Sequence, residues 1–134
     1  MLTQLPAGLP AFFAYFGVAI AMIAVFVVIY VNVTPYQELT LMRSGNTAAA
    51  VSLAGALLGF AMPVANAIAH SDKIADLLVW GGVAGVVQIL AYLVVRFTFP
   101  QFHTDIPAGK MAPAVFLAAL SVCVGLINAA CMTY

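Results

Sequence analysis

The side chains that could support chemistry in this chain are few, and those inside its long apolar segments are uncharged. Three carboxamides, Asn66, Gln88 and Asn128, and two hydroxyls, Ser52 and Ser121, lie within these segments. A carboxamide has two N–H donors and an acceptor oxygen, so it can line a path for a polar solute or join neighbouring helices. Both interpretations remain open at this level, and the sequence favours hydrogen bonding between helices.

Catalytic templates are absent from the sequence. It contains no GxSxG, HExxH or Walker motif, and the intramembrane serines have no Asp, Glu, Lys or His at mid-span to activate them. Cys123 and Cys131 are separated by about 12 Å along a helix, too far for a disulfide within it, and we interpret them as buried small hydrophobic residues. We therefore expect no catalytic residue, no cofactor, no metal site and no enzymatic activity.

The composition indicates a membrane protein. Of the 134 residues, 66% are hydrophobic and 6% are charged, whereas soluble domains have about 45–50% apolar and about 25% charged residues. The excess apolar surface must face lipid. Four Lys and Arg residues balance four Asp and Glu residues, which excludes the basic surface that a nucleic-acid-binding protein needs.

Long apolar runs predict an all-α, polytopic membrane protein with a single membrane domain, residues 1–134. Each run has roughly the 17–25 residues needed to cross a bilayer. Pro35 and Pro100 follow the first and third runs, and Asn46 with Thr47 can cap the start of the second. The four transmembrane helices are predicted at about residues 10–33, 47–69, 76–96 and 111–133.

The two halves of the sequence align with an offset of 64 residues. This indicates two repeats, at about residues 10–70 and 74–134. A two-span unit predicts that the repeats run parallel and are related by an axis along the membrane normal. The aligned residues are Gly45, Ala48, Ala50, Val51, Leu53 and Ala54 with Gly109, Ala112, Ala114, Val115, Leu117 and Ala118.

The distribution of cations predicts the orientation. The first and third connections between spans carry Arg43, Arg96 and Lys110, and the second carries Lys73 alone. The positive-inside rule therefore places the first and third connections in the cytoplasm and both termini in the periplasm. Glu38 and Arg43, both in the first connection, are candidate contacts for a cytoplasmic protein partner.

Small and polar residues recur at intervals of three and four along each predicted helix, so they share one face. Small residues let helices approach closely in lipid. We interpret these faces as contacts within the chain and between copies in a homo-oligomer. They comprise Ala14, Gly17, Ala21 and Ala24 in the first helix; Ala48, Ser52, Gly55, Gly59, Met62 and Asn66 in the second; Gly81, Gly85, Gln88, Tyr92 and Arg96 in the third; and Ala114, Ala118, Ser121, Gly125 and Asn128 in the fourth.

The stretch TPYQELTLMRSGNTAAAVSLAGALLGF, residues 34–60, and the ending GLINAACMTY resemble the bacterial inner-membrane proteins of the domain-of-unknown-function family numbered 350, the YjfL type. The resemblance covers essentially the whole chain and implies paired two-span repeats. It also implies a role in envelope maintenance or membrane stress, because such proteins look to be encoded near membrane-remodelling proteins of the phage-shock type and ATP-grasp ligases. It implies no catalytic residues, since the family's activity is unassigned.

Two functions are compatible with these features. The first is a non-enzymatic scaffold or oligomeric assembly component of the inner membrane, with the lipid bilayer, further copies of the chain and a cytoplasmic protein as partners. The second is a small channel or facilitator for an ion or a small polar solute. Its uncharged lining would be Ser52, Asn66, Gln88, Ser121 and Asn128.

Overall fold

A computed structural model describes residues 5–34, 38–70 and 73–132. In this part the chain is all-α. Four of the helices are long and apolar enough to cross a membrane, which confirms the four predicted spans; they are α1, α3, α4 and α6. The helices in chain order are α1 (Leu5–Val33), α2 (Glu38–Arg43), α3 (Thr47–His70), α4 (Ile74–Thr98), α5 (Phe102–Asp105) and α6 (Met111–Cys131).

Five helix ends differ from the predicted ones, namely the start of α1, the end of α3, both ends of α4 and the end of α6. α1 begins at Leu5 and contains Pro10, the predicted first residue, because a proline near a helix start removes only one intrahelical hydrogen bond. α4 extends two residues beyond the predicted range at each end, and α6 ends at Cys131. The connections predicted as loops contain the short helices α2 and α5. Residue 133 lies outside the described residues.

Asn46 connects the starts of α3 and α6. Its Oδ1 accepts a hydrogen bond from the backbone N–H of Ala49 at 3.0 Å, which confirms it as the predicted cap of α3. Its Nδ2 donates to the carbonyls of Ile106 and Pro107, at 3.3 and 3.0 Å, just before α6. At the other end, Asn66 of α3 contacts the end of α6. α3 and α6 therefore lie side by side and run parallel.

The two connections that carry α2 and α5 have the same backbone hydrogen bonds in the same order. Gly45 and Gly109 adopt left-handed φ angles of 93° and 86°, as glycines that end a helix commonly do. The matching residues of the two connections are separated by 64 residues, the offset of the predicted repeat, and this agreement supports the repeat. A common origin of the two halves stays a prediction. The matching N–H to carbonyl bonds are Ser44–Thr40, Gly45–Met42 and Asn46–Leu41 with Ala108–Thr104, Gly109–Ile106 and Lys110–Asp105.

α3 lies at the centre of the bundle and α1 at its edge. In the most apolar window of α3, 56% of the residues are buried, compared with 11% in α1. α1 contacts α3 and α4 mainly through aromatic side chains such as Phe26 and Tyr30, which are buried. Most of its remaining surface is apolar and exposed, as expected of a helix in contact with lipid.

The small-residue faces of α3, α4 and α6 are buried or half-buried, but the expectation that the α1 face packs within the chain is wrong, and its contact with another copy stays a prediction. Gly17, Ala21 and Ala24 are exposed, because bulky side chains on another face hold α1 against the bundle. The interpretation of the cysteines as buried is also wrong. Cys123 and Cys131 are free and exposed on α6, where lipid provides the apolar surroundings that a thiol tolerates.

Candidate functional site

The candidate site centres on the crossing of α3 and α6, where glycines bring the two backbones into contact. A Cβ atom at Gly55 would overlap the backbone of Ala118, and one at Gly125 would overlap the backbone of Gly59. Small residues at this spacing therefore decide how closely the helices pack. The structure brings together Gly55, Gly59 and Gly125, three of the predicted site residues, at this crossing.

Gln88 of α4 inserts its side chain at the same crossing. It is 1% exposed, and its Nε2 donates a 3.0 Å hydrogen bond to the carbonyl of Ser121 on α6. A Cβ at Gly59 would lie 2.6 Å from this Nε2, so the glycine makes room for the amide. The Oε1 of Gln88 is buried without a hydrogen-bond partner among the described residues.

Asn66 links the far end of α3 to the far end of α6. Its Nδ2 donates to the carbonyl of Ala129 at 2.9 Å and to that of Met132 at 3.3 Å. The last carbonyls of a helix have no partner within the helix. The carbonyl of Ala129 accepts from the backbone N–H of Met132 as well, and Asn66 adds a donor from α3, which holds the two parallel helices together at this end.

Within the described part of the chain, the side chains of Ser52, Ser121 and Asn128 make no hydrogen bond to another helix. The hydroxyl of Ser52 donates to the carbonyl of Ala49 in its own helix at 3.0 Å. The Nδ2 of Asn128 is buried and has no hydrogen-bond partner within the described ranges. The hydrogen bonds that Asn66 and Gln88 donate thus run from a side-chain amide to a backbone carbonyl.

Gly81 and Gly85 face a different neighbour, α1. A Cβ at Gly81 would overlap the end of the Met22 side chain, whereas one at Gly85 would be in ordinary contact with Phe60, at 3.5 Å. Phe60 in turn stacks on Phe26 of α1, with ring centroids 4.4 Å apart and planes 5° apart. The glycine pair of α4 therefore accommodates the bulky side chains that attach α1.

Two recesses open on the described surface. One, of about 710 Å³, is an apolar groove between α1 and α4. The other, of about 410 Å³, lies between the connections that precede α3 and α6, at residues 44–47 and 107–111. None of the five intramembrane polar side chains lines either recess. The candidate lining residues are therefore separate from these two recesses.

At the predicted cytoplasmic end, Arg43 is exposed at the end of α2, and the side chain of Glu38 lies outside the described residues. The sequence did not reveal the role of Arg96. This residue is half-buried and donates from Nη1 to the carbonyl of Val33 at 3.4 Å. A cation near the C-terminal end of a helix is stabilising. Only the fold shows that the helix end in contact with the Arg96 guanidinium is that of α1.

Comparison with known proteins places this geometry in a family. The family described as Domain of Unknown Function (DUF350) matches residues 4–132. The chain is 37% identical over 127 residues to the inner membrane protein YjfL of Escherichia coli (strain K12), covering 95% of this chain and 96% of that protein. It is 26% identical over 113 residues to the transmembrane protein YshE of Bacillus subtilis (strain 168), covering 84% of each. No solved structure matches the chain.

Proposed function

Since this chain belongs to the DUF350 family of membrane proteins, as the resemblance of residues 34–60 predicted, we propose that it is a non-enzymatic scaffold, an assembly component of the bacterial inner membrane. The observation that supports the proposal most is the α3–α6 crossing. Gly59 and Gly125 are in backbone contact there, and the buried amide of Gln88 occupies the remaining space. A crossing filled in this way favours a rigid support over a solute path.

The alternative function, a small channel or facilitator for an ion or a small polar solute, draws on a different observation. Gln88 Oε1 and Asn128 Nδ2 are buried and have no hydrogen-bond partner among the described residues. A passing polar solute would satisfy such atoms in a way that lipid cannot. The two functions therefore differ in whether these side chains meet water.

Flux through reconstituted liposomes separates the two functions. The scaffold predicts no flux of ions, water or polyamines above that of empty liposomes. A flux that Asn66→Leu or Asn128→Leu abolishes, with the protein still folded and inserted, would contradict the scaffold and favour the channel.

The scaffold forms homo-oligomers through α1 in this proposal. The small-residue faces of α3, α4 and α6 are occupied within the chain, whereas Gly17 and Ala24 are exposed and Gly17 has open space where a side chain would be. Small exposed residues permit close contact between helices in lipid. Native mass spectrometry is expected to show an oligomer that Gly17→Leu dissociates. Monomers alone for the unmodified chain would contradict this part of the proposal.

The cytoplasmic partner binds at α2 in this proposal. Leu39 and Met42 are 44% and 38% exposed, and Arg43 adds a cation beside them. Photo-crosslinking from position 39 in cells should therefore capture a protein that Arg43→Glu releases. The same cross-linker at exposed Leu126 of α6, which faces lipid, serves as the control and should capture no such protein.

The proposed setting is the envelope, with both termini in the periplasm and a role in envelope maintenance or membrane stress. The relative YjfL is named an inner membrane protein, and the excess of cations in the first and third connections favours this orientation. A C-terminal reporter that is active only in the cytoplasm should be silent. An active reporter would reverse the orientation and move the α2 surface to the periplasm.

A further inference from the structure

The contact between α3 and α6 joins two helices that have the same position in the predicted repeat. α3 begins at Thr47 and α6 at Met111, which are 64 residues apart, and the connections before them make the same backbone hydrogen bonds at this offset. Each residue of α3 therefore has an equivalent in α6. Because the two helices run parallel, equivalent residues lie at the same level of the membrane.

The two helices use different faces for their contact. Gly55 of α3 meets the backbone of Ala118 of α6. The repeat equivalents of these two residues are Ala119 on α6 and Ala54 on α3, and a two-fold symmetric contact would bring them together as well. Both are exposed instead. The contact is therefore heterologous, which means that two different surfaces of equivalent units meet.

A heterologous contact leaves each of its two surfaces present a second time, on the outside of the molecule. On α6 the equivalents of Gly55 and Gly59 are Ala119 and Cys123, and both are exposed; we call them the outer α6 face. On α3 the equivalents of the contacting residues of α6 form the outer α3 face. They are Ala54, which is exposed, and Leu57 and Ala61, which are half-buried.

The two outer faces match in level and in size. Ala54 lies seven residues after the start of α3 and Ala119 eight residues after the start of α6, so both are about 11–12 Å along their helices. Ala54, Ala61 and Ala119 carry only a methyl group, and helices with small residues at the contact approach closely in lipid. Copies inserted in the same orientation present α3 and α6 parallel, as they are within the chain.

We propose that the outer α3 face of one copy packs against the outer α6 face of the next, so that the α3–α6 contact of the chain continues between copies. The inference rests on the homo-oligomer of the proposed function and adds a second contact to the one through α1. Heterologous contacts arrange copies head to tail, as in a ring, here about an axis along the membrane normal. The same contact covers Cys123.

Disulfide cross-linking of the full chain in liposomes tests the head-to-tail contact. Ala54→Cys and Ala119→Cys are introduced together in a Cys123→Ala, Cys131→Ala background and oxidised with copper phenanthroline. A ladder of dimers and higher multimers is expected in SDS, because each copy pairs on both sides, and either cysteine alone should give no dimer. Ala54→Cys combined with Leu90→Cys, an exposed residue of α4, is the control and should give no ladder.

Native mass spectrometry measures the assembly itself. Ala54→Trp places a bulky ring in the contact and should raise the dissociation constant of the oligomer about tenfold, which corresponds to about 1.4 kcal/mol. Ala119→Trp should act alike and covers the case in which Ala54→Trp does not fold. Val94→Trp, at an exposed position of α4, should leave the dissociation constant unchanged.

Dimers formed by Ala54→Cys alone or by Ala119→Cys alone would overturn the inference, since they require a two-fold symmetric contact. An oligomer that persists in both tryptophan variants, with no ladder from the double-cysteine variant, would overturn it and leave the homo-oligomer of the proposed function in place. Monomers alone for the unmodified chain would contradict the homo-oligomer itself, and with it this contact.

Discussion

The contact between α3 and α6 and the contact between α1 and α4 use opposite kinds of side chain. α3 and α6 meet through glycine and alanine, backbone against backbone, with Asn66 and Gln88 donating hydrogen bonds to carbonyls of α6. α1 meets its neighbours through Met22 and Phe26, and an open groove remains beside them. Because lipid supplies no hydrophobic drive between helices, the size of the side chains decides which contact is close and which is open.

The difference predicts where the protein tolerates change. In the α3–α6 contact an added atom must displace backbone, whereas in the α1–α4 contact it enters open space or moves a flexible side chain. An added side chain should therefore lower the free energy of unfolding strongly at the first contact and weakly at the second.

The largest effect is expected for Gly125→Leu. The new side chain overlaps the backbone of Gly59, so α3 and α6 must separate, and the free energy of unfolding should fall by about 3 kcal/mol. Unfolding in SDS followed by circular dichroism measures this. Gly82→Leu, the same substitution in open space, is the control and should change the value by about 0.5 kcal/mol or less. Equal losses in the two variants would remove the distinction between the contacts.

A smaller effect is expected for Phe26→Ala, which removes the ring stacked on Phe60. The loss of packing should lower the free energy of unfolding by about 2 kcal/mol and should release α1 before the rest of the bundle. Hydrogen exchange should accelerate in α1 and stay slow in α3 and α6. Phe16→Ala, an exposed ring on the same helix, should leave both rates unchanged. Faster hydrogen exchange throughout the chain would contradict the expectation that α1 is released before the rest of the bundle.

Asn66→Leu should lower the free energy of unfolding by about 1 kcal/mol, since hydrogen bonds between transmembrane helices contribute about 0.6–1.7 kcal/mol. The variant leaves the carbonyls of Ala129 and Met132 without this donor. Asn32→Leu is the matched control, because the amide of Asn32 is exposed and bonds to the carbonyl of Val28 in its own helix. Unfolding in SDS followed by circular dichroism measures both variants. A loss of unfolding free energy in Asn32→Leu as large as that in Asn66→Leu, or larger, would show that the hydrogen bond from Asn66 to α6 has no stabilising effect.

The smallest effect is expected for Arg96→Gln, about 0.5 kcal/mol. The guanidinium makes a 3.4 Å hydrogen bond to Val33, at the end of α1. Loss of this hydrogen bond should speed amide hydrogen exchange in the last turn of α1 alone. Arg43→Gln, at an exposed cation outside this contact, should have no effect on α1. Faster amide hydrogen exchange in α3 as well would show that Arg96 stabilises the centre of the bundle and not only the end of α1.

Sequence reasoning recovered the parts of this fold that depend on local pattern. The four spans follow from uncharged length, and the faces of α3 and α6 follow from the spacing of residues such as Gly55, Gly59 and Gly125. The sequence did not show that the small face of α1 lies outside the packing of the chain, because small residues at helical spacing indicate only that close contact is possible. Which face is used depends on how Phe26 and Tyr30 fit between α3 and α4, and that is a property of the assembled bundle.

The same limit applies to the candidate site. The carboxamides stand out in the sequence, yet their partners are backbone carbonyls, which every residue has and no pattern identifies. The bond from Gln88 to Ser121 and that from Asn66 to Ala129 could therefore be seen only in the structure. The α1–α4 groove was unpredictable for a related reason, since it is the space between two helices that no sequence element encodes.

We propose that the α3–α6 face is a dry helix contact, which can be measured by the accessibility of thiols placed in it. Ser52 and Ser121 are 0% and 3% exposed and can be changed to cysteine in a Cys123→Ala, Cys131→Ala background. A water-soluble maleimide reacts with the thiolate, which forms in water and not in a dry contact. We expect Ser44→Cys, at an exposed position, to label fully, and Ser52→Cys and Ser121→Cys to label only after unfolding in SDS. Labelling of folded Ser121→Cys at a rate near that of Ser44→Cys would contradict it.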